Sequence, residues 1–124
     1  NQKSPHPVVS LLSEQKNIKE MGATMRLGEH PTKIKPNTLA NKIYKKTQIG
    51  ERFRHRYEVN TNYIKQFEEN GLVFSGVSAD NKEIMQIMEY PKNKFHFGTQ
   101  FHPELTSKPL MPSPIFVKFV ESCL

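Results

Sequence analysis

Between residues 72 and 101, three apolar runs (72–78, 83–90 and 95–101) are separated by two short polar turns, Ala79-Asp80-Asn81-Lys82 and Pro91-Lys92-Asn93-Lys94. Parallel neighbours need a crossover of a dozen or more residues, whereas antiparallel strands can be joined by a handful. The spacing therefore predicts an antiparallel meander, and the rest of the chain has to fold around it.

Upstream, the hydrophobic period switches between strand and helix. Val8, Val9, Leu11 and Leu12 form a short apolar run that suits a strand end. Residues 13–20 are polar and read as an exposed loop or lid, and Thr24-Met25-Arg26-Leu27-Gly28 reads as a short extended piece closed by glycine. Pro36 and Asn37 announce a helix with Leu39, Ala40, Ile43 and Tyr44 on one face and Lys42, Lys45 and Lys46 on the other. Residues 51–60 alternate as a strand, with Arg52, Arg54 and Arg56 on one face and Phe53, His55 and Tyr57 on the other. A second helix is expected over 62–70, with Tyr63, Ile64 and Phe67 inward and Gly71 as its stop. At the C-terminal end, Ser113 is expected to cap and Pro114 to open a helix with Ile115, Phe116, Phe119, Val120 and Cys123 on one stripe. The order predicts an α/β fold: a mixed sheet with an antiparallel meander, flanked by helices.

At 124 residues and 35% apolar content, the chain can supply one domain with a real core. No run of 18 or so apolar residues occurs, which excludes a membrane-spanning helix. The single cysteine excludes an intrachain disulfide framework and a cysteine-based zinc site. A cytoplasmic setting is expected. The net charge of +6 invites a nucleic-acid reading through Arg52, Arg54, Arg56 and the 42–46 lysines, but much of it is the wet face of one helix.

Chemistry concentrates in Gly98-Thr99-Gln100-Phe101-His102-Pro103-Glu104. His102 falls at a strand end, and Glu104, two residues on, points the same way in extended chain. Pro103 fixes its own φ and biases His102 away from helix, which limits how the pair can be arranged. A carboxylate on one imidazole nitrogen sets the tautomer and leaves the other nitrogen as a general base. Such a pair is two thirds of a nucleophile–His–acid triad, although His-x-Glu at a strand end also serves purely structural ends. No third His, Cys or Asp stands at ligand spacing, so no metal site is expected. His6, His30, His55 and His96 are dispersed.

Gln100-Phe101-His102-Pro103-Glu104 resembles the His-x-Glu signature of the class I (triad) glutamine amidotransferases. Gly22-Ala23-Thr24-Met25-Arg26-Leu27-Gly28, Arg54-His55-Arg56-Tyr57-Glu58-Val59-Asn60 and His102-Pro103-Glu104-Leu105-Thr106-Ser107-Lys108-Pro109 are similar, in this order, to the CTP synthase family. There they match the C-terminal half of the glutaminase domain, over about residues 5–121. The resemblance implies His102 as base and then acid, Glu104 as its orienting acid, and Arg56 as the binder of substrate glutamine. A planar guanidinium suits a carboxylate. It further implies ammonia supplied for ATP-dependent amination of UTP to CTP in pyrimidine nucleotide biosynthesis. GTP would act as effector and the enzyme as a homo-oligomer, without nucleic-acid or membrane partners.

The family nucleophile is a cysteine in a Gly-x-Cys-x-Gly turn, and Cys123 has no flanking glycines. Cys123 is accordingly expected to be a buried structural residue. Residues 1–124 are thus expected to be a partial glutaminase domain, inactive alone. Its nucleophile half and the synthetase domain, with ATP and magnesium, would lie before Asn1, and no cofactor is expected within the chain itself. Two residues depart from the family pattern: Ala23 where a second glycine is usual, and Phe53 where histidine is usual. A rival reading is a non-catalytic amidotransferase-like module that binds a partner subunit.

Overall fold

The computed structural model describes residues 4–11 and 25–124. The expected loop over 13–20, together with Gly22, Ala23 and Thr24, lies outside the described residues. A five-stranded sheet is built from β2 (Arg26–Ile34), β3 (Gln48–His55), β5 (Val73–Ser78), β6 (Met85–Glu89) and β7 (Phe97–Thr99), in the order β3-β2-β5-β6-β7. β1 (Val9–Ser10) pairs with β4 (Glu58–Val59) in a separate two-stranded sheet. Among the described residues, three α-helices accompany them: α1 (Leu39–Tyr44), α2 (Ile64–Glu69) and α3 (Pro114–Cys123). The α/β class and the meander β5-β6-β7 match the sequence reading. Every pairing among the described residues is antiparallel, so the sheet is not mixed in strand direction.

The core lies on the sheet face covered by α1 and α3. Ile34, Ile49, Phe53, Ile87 and Phe101 from the sheet side meet Ala40 of α1 and Ile115 of α3, all buried. Phe53 is its centre, ringed by His30, His55 and Phe101 at centroid distances of 5.7, 5.6 and 5.7 Å. An imidazole in place of Phe53 would bring a polar group into the same space. Gly76 permits the close approach of β5 and β6: a Cβ there would stand 2.5 Å from Ile87 Cγ1.

The start of α1 is satisfied from two sides. Thr38 Oγ1 accepts from the Asn41 amide at 3.2 Å. The buried Glu89 carboxylate, from β6, accepts from the amides of Leu39 at 2.7 Å and Ala40 at 3.0 Å. Three of the helix's first donors, which no intrahelical carbonyl can reach, are thereby paired.

Several sequence expectations are corrected. β2 does not stop at Gly28 but runs on through Pro31 to Ile34. Pro31 is tolerated because β2 pairs with β5 only from Thr32 onward, and its carbonyl accepts from the Ala79 amide. The alternation expected over 51–60 ends at His55. A corner follows, closed by a 2.7 Å bond between His55 Nε2 and Glu58 Oε1, so Arg56 is half-buried and Tyr57 exposed rather than on alternating strand faces. Ser113 occupies the N-cap position of α3 without making a side-chain cap, and its amide instead donates to Ser107 Oγ at 3.0 Å. Cys123 is exposed, not buried. Of α3, only Ile115 is buried, and Phe119 and Val120 are 53% and 59% exposed, so the apolar stripe leaves the core before it reaches the sulfur.

Candidate active site

β7 ends at Thr99, and the chain then crosses to β3. The His102 amide donates to the Arg52 carbonyl at 2.9 Å, which docks the histidine beside the edge strand of the sheet. His102 has φ −110° and ψ 89°, an extended backbone compatible with the proline that follows. Pro103 starts a single 3₁₀ turn (Pro103–Leu105), and the amides of Leu105 and Ser107 close it on the His102 and Pro103 carbonyls, each at 3.0 Å. Buried Pro103 anchors the turn, while Glu104 faces outward.

This arrangement brings His102 Nδ1 and Glu104 Oε1 to 2.7 Å. A carboxylate only accepts, so Nδ1 carries the proton and donates it, and Nε2 keeps its lone pair. Nε2 has no hydrogen-bond partner among the described residues, and the His102 side chain is about a third exposed (37%). An imidazole held at one nitrogen and open at the other can take a proton from a group brought to it. Glu104 is held below the usual carboxylate range, chiefly by its own backbone amide and by the His102 hydrogen bond, with the Arg54 charge adding to them. The orienting acid therefore stays ionised to lower pH than an ordinary glutamate.

Arg56 lies beyond the end of β3, past the corner at His55. No direct contact joins Arg56 to the His102–Glu104 pair among the described residues. The two are carried by different segments, Arg56 by the corner after β3 and His102 by the turn docked at Arg52.

Three participants escaped the sequence reading. Arg54 acts on Glu104 through its charge. Glu51 is buried, and its Oε2 accepts from Thr106 Oγ1 at 3.3 Å. Arg54 could have been found from the strand alternation, which sets it two residues from Arg52 on the outer face. The Glu51–Thr106 contact joins positions 55 apart and has no local signature.

No group of three His, Cys, Asp or Glu residues among the described residues could hold a metal. No helix among them is long and apolar enough to cross a membrane.

Residues 6–122 match the family described as glutamine amidotransferase class-I. Among curated proteins, the CTP synthase of Staphylococcus carnosus is 54% identical over 119 residues, covering 96% of this chain and 22% of that protein. The CTP synthase of Pyrococcus horikoshii is 52% identical over 113 residues, covering 91% and 21%. The chain thus spans about a fifth of the length of these relatives. Among solved structures, the glutaminase domain of Trypanosoma brucei CTPS with bound acivicin superposes with a TM-score of 0.88 at 35% identity. That match covers 98% of this chain and 47% of the other.

Proposed function

Because this chain belongs to the class I glutamine amidotransferases, we propose that it is the base-bearing part of the glutaminase of a CTP synthase, residues 1–124 forming part of that domain. The observation that carries this reading is the 2.7 Å His102–Glu104 pair with its open Nε2. Support comes also from relatives of that name at about half identity over nearly the whole chain.

In this reading the substrate is L-glutamine. Arg56 holds its α-carboxylate through the planar guanidinium fork, and the side-chain amide is presented to His102. Nε2 of His102 takes the proton of a cysteine thiol supplied by another part of the polypeptide, as the sulfur bonds to the amide carbon. The resulting imidazolium then gives that proton to the departing nitrogen, which leaves as ammonia with a thioester behind. Nε2 next takes a proton from water as the oxygen attacks the thioester, and glutamate leaves as the proton returns to sulfur. Glu104 keeps the ring in one tautomer and offsets its charge in both half-reactions.

The ammonia serves amination of UTP to CTP in pyrimidine nucleotide biosynthesis. ATP, magnesium, UTP and the effector GTP are assigned to the remainder of a homo-oligomeric cytoplasmic enzyme. No residue described here is given to them.

The test is His102→Ala in the complete enzyme. Glutamine hydrolysis is expected to fall by about three orders of magnitude or more, with amination from added ammonia retained. The chain alone is expected to release no glutamate above its own His102→Ala control. Unchanged glutamine hydrolysis in the complete variant refutes the assignment and favours a non-catalytic module.

A further inference from the structure

We propose that Glu51 and Thr106 are positioning residues that fix the His102–Glu104 turn against β3, an inference that rests on the glutaminase reading above. The turn hangs on the edge strand at two adjacent points. On its N-terminal side the His102 amide is bonded to the Arg52 carbonyl at 2.9 Å. On its C-terminal side Thr106 Oγ1 reaches Glu51 Oε2 at 3.3 Å, one residue earlier on the same strand. His102 bears the first anchor, and Glu104 lies between it and the second. One anchor would leave the turn free to pivot, whereas two fix its rotation and with it the direction of Nε2.

Glu51 is itself held from behind. It is 6% exposed, and Tyr44 at the end of α1 donates its hydroxyl to the other carboxylate oxygen, Oε1, at 3.1 Å. Both oxygens of this buried carboxylate are therefore engaged, one by the core and one by the catalytic turn. Thr106 Oγ1 also lies 3.2 Å from the Pro103 carbonyl, so its single proton is shared between the strand and the turn's own first residue. Burial, the largest effect, together with the Glu29 charge, raises Glu51 above the usual carboxylate range. A buried carboxylate in that position is an unfavourable choice for stability alone.

The experiment compares Thr106→Val and Thr106→Ser in the complete enzyme. Valine keeps the shape of threonine and removes only the hydroxyl. Thr106→Val is expected to lower kcat for glutamine hydrolysis about tenfold, with KM for glutamine within about twofold and the rate from added ammonia unchanged. Thr106→Ser is expected to recover most of the loss. An unchanged kcat in Thr106→Val overturns the proposal, as does an equal fall in the ammonia-supported rate, which would mark general damage to the fold. His102→Ala, run alongside, separates the two levels: if it retains glutamine hydrolysis, the glutaminase reading itself is wrong. Loss in His102→Ala without loss in Thr106→Val refutes the positioning role alone.

Discussion

Glu89 is a demanding structural residue: a buried carboxylate with no cationic partner at hydrogen-bond distance among the described residues is tolerated for two backbone amides. Its oxygens accept from Leu39 at 2.7 Å and Ala40 at 3.0 Å, and it is only 2% exposed. Glu89→Ala would leave both amides unpaired in a site closed to water. Each such orphaned donor costs about 1–3 kcal/mol, and part of that is offset because the carboxylate no longer has to be desolvated. The net loss is expected to be about 3 kcal/mol. Glu89→Gln keeps one acceptor oxygen but turns an NH₂ toward the second amide, so about 1–2 kcal/mol is expected. Thr38→Ala, which removes the separate cap on Asn41, is expected to cost about 1 kcal/mol and serves as a reference for α1. Urea unfolding of the three variants, with the slope checked for constancy, measures these differences. A domain stable by about 5–15 kcal/mol overall would show all of them. If Glu89→Ala unfolds within about 0.5 kcal/mol of the parent, the α1 N-terminus is not held from β6 and the reasoning fails.

Two further outcomes are expected. Since Glu51 is raised in the fold, the native state binds its proton more tightly than the unfolded chain does. Stability should therefore fall as pH rises from the ordinary glutamate range through the raised value. Glu51→Gln should lack that fall, while Glu104, whose lowered value has the opposite sign and which is largely exposed, acts alike in both proteins. Unfolding curves between pH 4 and 8 with identical slopes would contradict the placement of Glu51. Gly76→Ala would set a Cβ within 2.9 Å of three Ile87 side-chain carbons. A loss of about 1–3 kcal/mol is expected from overpacking, read as a lower melting temperature, and a neutral result would show that β5 and β6 are not packed this closely.

What the sequence disclosed and what it hid divide along the range of the interactions involved. The meander was readable because two polar turns leave their flanking runs no other partner, and α1 because its apolar spacing repeats within six residues. His102 and Glu104 were readable for the same reason: a two-residue separation across a proline places them within 2.7 Å of each other. β2 was misread because a glycine and a proline count against a strand locally, yet Pro31 sits where only its carbonyl is needed, a fact set by β5 more than forty residues on. Cys123 was misplaced because periodicity identifies an apolar stripe without saying how far its cover extends. The corner after His55 was invisible because period-2 alternation continues through Tyr57 in the letters, while the buried Glu58 carboxylate bends the chain by capturing His55 Nε2 and lying 3.5 Å from Arg26 Nε. That bend decides where Arg56 lies. Were β3 to run straight on, Arg56 would share the outer face with Arg52 and Arg54 and read as one more solvated cation. Turned past the corner, it is half-buried instead. The buried Glu58 thus holds the corner that precedes Arg56, as the buried Glu51 holds the turn that carries His102.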